Sequence, residues 1–427
     1  MNIKTSQLIE DLNHNDIKTR LNSLKMLFAK IEQGELKRPK KGNDVNNHIH
    51  TFYSFSPYSP TKAVWMAYQA GLATAGMMDH DSISGAREFI AAGEIAHIAT
   101  TIGIECRVDF SKTVLSGRRI NNPDQDSLVY MALHGIPHSE IDKVSAFFRP
   151  YREHRNYRNR QMLKIINQHI RFSGIQLDFT NDVIPISKFP DGGSITERHI
   201  LYALSLKLIT AYGKGNPLIS FLKNCLNLKI SEKIETYLDD DSNPFYAYDL
   251  LGLLKSEMVK DFYIDADEEC PDVKEVIEFS KKIGAISAYA YLGDVGDSVT
   301  GDKRNQKFED DYIDQLFPVL KELQFNAVTY MPSRNTVTQL DKVRSLCEKY
   351  QFFQISGEDI NSPRQSFICE ALQDPKFQNL IDATWALIGH ERAATESLSH
   401  SMFSTETIEK YPELSERIKV YQKIGIH

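Results

Sequence analysis

From about residue 44 onward, short apolar runs alternate with longer stretches in which apolar side chains recur every three or four positions. The short runs predict strands and the longer stretches predict amphipathic helices. A first strand leads into His48 and His50, and others are expected at 73–78, 100–108, 128–133, 283–291, 326–330 and 352–356. Helices are expected at 60–71, opened by Ser59-Pro60 and closed by Gly71, and at 84–97, 273–282, 311–322 and 336–350. Such strand-helix alternation indicates a parallel sheet or barrel. Three regions depart from it. Residues 1–40 carry Leu8, Ile9, Leu12, Ile17, Leu21, Leu24, Met26 and Leu27 at near-helical spacing, which predicts a polar helical arm. From Arg149 the strands disappear, and 150–170, 194–209, 217–236 and 245–260 all read as helices. Residues 372–427 read as a helical, polar tail packed on the outside. The chain therefore divides into an arm and linker (1–42), a first barrel part (43–148), a helical insertion (149–270), a second barrel part (271–371) and the tail (372–427).

Composition narrows the class. With 427 residues, 41% hydrophobic and 25% charged, the chain reads as a soluble globular protein. Its net charge of −7, from 50 basic and 57 acidic residues, disfavours a general nucleic-acid or anionic-membrane binder. No apolar run reaches the roughly 18 residues a membrane span needs. Residues 1–41 lack the apolar core of a secretory signal. Cys106, Cys225, Cys270, Cys347 and Cys369 are scattered and odd in number, as expected of reduced thiols in a cytoplasmic protein.

The chemistry-bearing residues sit where apolar runs stop. His48 and His50 are two apart, so a strand points both imidazoles to one side. His80, in Asp79-His80-Asp81, and Glu105 end the next two expected strands, His134 ends the fourth, and Asp359 follows the last. Barrel enzymes gather such strand ends at one mouth. Imidazoles with carboxylates are the ligand mix of zinc, manganese or iron. Taken singly, a buried histidine is more often a hydrogen-bonded core residue, and His97, His138, His154, His169, His390 and His400 are read so.

Two features suggest an anionic substrate. Arg149, Arg152, Arg155 and Arg158 recur every third residue, a helical stripe of guanidinium groups that either grips phosphate or forms a solvated face paired to Glu153. Gly192-Gly-Ser-Ile-Thr-Glu-Arg-His199 opens a helix with an expected capping box from Ser194 to Glu197, placing Arg198 and His199 in its first turns. Arg334 and Arg364 are weaker candidates.

In this order the motifs resemble the PHP (polymerase and histidinol phosphatase) phosphoesterases. The residues concerned are Asn46-Asn-His-Ile-His50-Thr51, Met78-Asp-His-Asp81, Gly103-Ile-Glu105, Leu133-His-Gly135 and Gly357-Glu-Asp359. The resemblance spans roughly 44–365 and implies a distorted seven-stranded, TIM-like β/α barrel holding up to three metal ions. It implies that His48, His50, Glu105 and Asp359 form one site, with Glu105 bridging to a second ion beside His134, and His80 serving a third. Phe55, Tyr291 and Asn361 stand where three of that family's ligands are usual, so one or two divalent ions are expected. The implied reaction is hydrolysis of a small phosphorylated metabolite or nucleotide by a metal-activated water. Arg155, Arg158, Arg198 and Arg334 would bind substrate, His134 or His199 would protonate the leaving oxygen, and Asp79 would orient a ligand histidine. The alternative is a catalytically degenerate PHP domain that binds a ligand or partner. A nuclease or proofreading module fits less well, given the acidic balance and the lack of a polymerase region. The oligomeric state is not legible.

Overall fold

The computed structural model describes residues 4–294 and 307–427, so parts of the expected arm (1–3) and of the expected second barrel part (295–306) lie outside the described residues. Seven strands form one sheet in chain order: β1 (Val45–Ile49), β2 (Thr74–His80), β3 (Ala99–Asp109), β4 (Leu128–His134), β5 (Ile286–Ala290), β6 (Ala327–Tyr330) and β7 (Phe353–Ser356). The sheet curls until its ends meet. Ile49 forms a parallel bridge with Ile360, just beyond β7, through His50 N to Ile360 O (2.9 Å) and Ile360 N to His48 O (3.0 Å).

The strands are mixed rather than all parallel. β1–β3 and β5–β7 run one way, but β4 is antiparallel to both β3 and β5. No crossover helix separates β3 from β4. Residues 110–127 fold back so that Leu128 pairs with Asp109 and Leu133 with Ile104. A parallel return would need a crossover of a dozen or more residues, usually a helix. His134 consequently lies opposite Ile286, the first residue of β5, below the rim where β1 and β2 end.

Helices cover the sheet as their apolar periodicity requires. Pro60–Ala70 is capped by Ser59 and closed by Gly71 at φ 84°, where a Cβ would stand 2.4 Å from the Lys40 carbonyl oxygen. The helices Thr5–Asp11 and Ile17–Glu32 dock on this layer, and the buried Arg20 pairs with the buried Glu88 at 2.5 Å. The C-terminal region is not a polar outer layer. In the helix Gln378–Glu396, Leu380, Leu387, His390 and Glu391 are buried, and Glu391 accepts from Thr101 Oγ1 (2.6 Å) and Ile102 N (2.8 Å) at the start of β3. Among the described residues, no helix is long and apolar enough to cross a membrane.

Between β4 and β5 the chain is helical. The first helix, Ile141–Ile170, runs through Pro150 and starts earlier than the expected 150. With Glu197–Tyr212, Asn216–Asn224, Glu232–Asp239 and Tyr246–Phe262 it surrounds a separate apolar cluster that includes Leu204, Leu222 and Leu254. Phe55, from the loop after β1, inserts into that cluster, edge-on to His199 at 5.0 Å between centroids and packed on Tyr202. It is an apolar anchor for the helices. Phe55→Asp is therefore expected to add no metal ion and to destabilise the protein by about 3 kcal/mol or more, from the lost ring and a buried carboxylate. Metal content and urea unfolding check this, and a gained equivalent of ion would refute it.

Candidate metal centre

The ends of β1, β2 and β7 converge at the rim beside the middle of β3, which runs on past Glu105 to Asp109. The alternation of β1 and the register of β2 with β3 (His80 opposite Glu105) bring three imidazoles and a carboxylate to one inner face. The loop after β7 adds Asp359, and Gly357 lets it approach, since a Cβ there would lie 2.7 Å from His48 Cβ. His48 Nε2 stands 3.1 Å from His50 Nε2 and 3.7 Å from Glu105 Oε2. His50 Nε2 lies 3.1 Å from Asp359 Oδ1 and 4.0 Å from Glu105 Oε2, and His80 Nδ1 is 3.1 Å from Glu105 Oε2. Two donor sets result, His48 with His50 and Asp359, and His50 with His80 and Glu105.

Hydrogen bonding fixes the tautomer of His50. Asp79 is fully buried and accepts from Thr51 N (2.7 Å), Thr51 Oγ1 (2.6 Å) and Ser54 Oγ (2.7 Å). Because the Ser54 proton goes to Asp79, Ser54 Oγ accepts from His50 Nδ1–H at 3.2 Å. The Nε2 lone pair of His50 therefore points into the cluster, facing another imidazole nitrogen and a carboxylate. Asp79 lies behind His50, linked to it through Ser54, and has no face open to a substrate.

This donor set fits a transition ion. Metal–nitrogen bonds of about 2.0–2.1 Å in tetrahedral array put neighbouring donor atoms about 3.3 Å apart, and the three closest pairs here are 3.1 Å apart. Facing lone pairs and carboxylates repel unless a cation stands among them. The electrostatics agree. Burial acts to raise the Glu105 pKa, yet His80 and His48 hold it down at about 2. Asp359 is likewise kept well below the usual carboxylate range by His50 and His48, against its burial. Burial pushes His80 down to about 3 against the pull of Glu105, whereas for His48 burial is outweighed by Glu105 and Asp359, which raise it.

Other expected site residues are placed elsewhere. His134 lies outside both donor sets. It points to the same inner face as Glu105, because Ala132, two residues before it, pairs with Glu105. Its Nε2 is buried with no hydrogen-bond partner among the described residues, and burial lowers its pKa to about 3. A sealed neutral ring is no proton donor to a leaving group. His199 is also excluded from that role. The helix Glu197–Tyr212 is capped by Thr196 rather than Ser194, and His199 Nδ1 accepts from Thr196 N at 3.0 Å. Burial lowers the His199 pKa to about 3 as well.

The arginine stripe turns inward, away from any substrate. Arg155 and Arg158 are 4% and 6% exposed. Arg158 Nε and Nη2 donate to Glu269 at 2.6 and 2.8 Å, with a further bond to Glu197. Arg155 pairs with Asp81 and Glu269, and Arg107 joins the same Glu269 carboxylate. Arg149 and Arg160 are exposed. Arg364 pairs with Asp249 at 2.7 Å, and Arg334 Nε donates to the Leu292 carbonyl at 3.2 Å. Arg198 reaches the cluster through Asn361. Tyr291 donates its hydroxyl to Asp310 (2.6 Å), and burial with that carboxylate holds the phenol neutral, so it supplies no phenolate ligand.

No family model matches the chain, and no curated protein matches it. Solved structures do. One is a candidate metal-dependent phosphoesterase from Bifidobacterium adolescentis, 18% identical, over 79% of this chain and 96% of that one, with a TM-score of 0.50. Another is an amidohydrolase from Chromobacterium violaceum, solved with sulfate and no metal, 16% identical over 77% of this chain and 90% of that one, with a TM-score of 0.49. The first likeness establishes the fold, an α/β architecture built on a curled seven-stranded sheet.

Proposed function

We propose that this chain is a metal-dependent phosphoesterase acting on a small phosphorylated metabolite or nucleotide. The observation that carries the reading is the convergence of two imidazole Nε2 atoms and two carboxylates within coordination distance, beside a half-buried arginine. His48, His50 and Asp359 would hold a divalent zinc, manganese or iron ion. His50 belongs to both donor sets but has one free lone pair, so a second ion would rest on Glu105 with His80, or with the unpartnered His134. An ion held there would supply an activated water and neutralise charge on the phosphoryl oxygens. The protein's own part is to fix His50 through Ser54 and Asp79, to keep His80 neutral, and to present Arg198 to the phosphoryl group.

The test is hydrolysis of a phosphomonoester panel, beside amide and lactone substrates, by protein loaded with each ion. At least one phosphoester should be cleaved, with activity lost on chelation and regained on adding the ion. Ion bound without hydrolysis would make the chain a ligand-binding module, and amide or lactone cleavage alone would make it another hydrolase. Less than about a tenth of an equivalent of bound ion would remove the metal centre altogether.

A further inference from the structure

Among the arginines expected to meet substrate, Arg198 differs in what it has left to give. Its Nη1 donates to Asn361 Oδ1 at 2.9 Å, and its Nε and Nη2 have no protein partner among the described residues. Asn361, only 7% exposed, uses the other end of its amide to donate to Asp359 Oδ1 at 2.7 Å. That oxygen is the one 3.1 Å from His50 Nε2. Gln365 pins the backbone beneath: its Oε1 accepts from Asn361 N (2.8 Å) and Ser362 N (2.7 Å), and its Nε2 donates to Asp359 O (2.7 Å). The amide can sit only one way round. Turned over, it would set carbonyl against carboxylate and NH2 against guanidinium.

Charge gives this linkage its meaning. Imidazole ligands must be neutral to bind an ion, so one divalent ion would be balanced by the carboxylates Glu105 and Asp359, leaving the cluster with no net charge. Beyond direct coordination to the ion, the cluster would then carry no net charge to hold an anionic substrate. The fixed positive charge of Arg198 supplies that hold.

We infer that Asn361 is a positioning residue that holds Arg198 as a permanent cation at the edge of the ion-binding cluster, leaving two guanidinium nitrogens for the oxygens of a phosphoryl group. The inference rests on the phosphoester reading above for its substrate. Asn361, a poor metal ligand, thus joins a ligand carboxylate to a substrate-binding cation.

A double-mutant cycle tests it in full-length, Mn2+-loaded protein, with inorganic phosphate binding measured by calorimetry and kcat and KM measured on the best phosphomonoester. R198M and N361L should each weaken phosphate binding, by about tenfold or more for R198M and somewhat less for N361L. In the R198M background N361L should add nothing, bound ion should be unchanged throughout, and N361L should raise KM more than it lowers kcat. Additive losses, or loss of the ion in N361L, would overturn the inference by making Asn361 a support of Asp359 instead. N361A adds no atoms and replaces N361L should the latter not fold. A wild type that hydrolyses no phosphoester but shows the coupled phosphate cycle would sink the hydrolase reading and leave the positioning role standing.

Discussion

His50→Ala is expected to remove bound divalent ion from the protein and to cut phosphoester hydrolysis by at least about a thousandfold, since a catalytic ion contributes several kcal/mol to the transition state. His50 is the one residue common to both donor sets, and its Nε2 lies within 4.0 Å of Glu105 and 3.1 Å of both His48 and Asp359. Its one lone pair can serve either set, so its loss takes a ligand from the first ion in whichever set that ion sits, and Glu105 with His80 or His134 alone leaves too few donors for tight binding. His80→Ala removes only the set with Glu105, so that variant should keep an ion on His48, His50 and Asp359. Asp79→Asn should fall between them, losing about ten- to a hundredfold in affinity or activity as the Ser54–His50 link loosens. Metal content by mass spectrometry, with circular dichroism to confirm folding, separates the three. A folded His50→Ala protein that retains a full equivalent of tightly bound ion would defeat this account of the site.

Much of the cluster was legible because its logic is local. Two histidines two residues apart on a strand share a face whatever the rest of the fold does, and strand ends are marked by where apolar runs stop. His48, His50, His80 and Asp359 were identifiable on those grounds; Glu105, expected at a strand end, lies inside β3 opposite His80, and the structure gathers all five. Strand direction was harder, because hydrophobic alternation reads the same from either end. The signal that β4 reverses was a missing element: 110–127, with Gly117 and Pro123, shows no helical period that could carry a parallel crossover. Overlooking it put His134 at the rim, when it lies beneath.

The arginine stripe shows a different limit. Spacing showed correctly that Arg152, Arg155 and Arg158 share a helix face, but not what that face would meet. Its partner, Glu269, is more than a hundred residues away on the segment leading to β5, in a loop with no periodicity to place it. A pairing of that range exists only in three dimensions. His199 and Asn361 were likewise read by residue type, one as a proton donor and one as a lost ligand. Each hydrogen-bonds by its side chain to structure around it, a helix cap in the first case and an arginine–carboxylate link in the second.

Glu269→Ala should be the most destabilising substitution considered, at about 3–5 kcal/mol or more, a large share of the roughly 5–15 kcal/mol that holds most domains folded. Glu269 is 3% exposed and receives Arg107, Arg155 and Arg158, each itself at least nine-tenths buried. Removing it leaves three desolvated guanidinium groups facing one another, with Asp81 and Glu197 too few to balance them. The carboxylate also ties 263–272 to the helix Ile141–Ile170 and to β3, so its loss loosens the helix from both. Burial acts to raise the Glu269 pKa, but Arg107 and Arg155 outweigh it and the folded value is lowered. The stability it confers is therefore present above the unfolded carboxylate's pKa, near 4.5, and lost as pH falls through the folded value. Glu269→Gln keeps the shape and removes the charge. It should be destabilised at pH 7 and approach the wild type in acid, whereas Glu153→Ala, at an exposed site on the same helix, should change stability by less than about 0.5 kcal/mol. Urea unfolding of the three variants from pH 7 down to well below the unfolded carboxylate's pKa decides the matter. Equal midpoints for wild type and Glu269→Ala at pH 7 would mean that the arginine knot contributes nothing to holding the helices on the sheet.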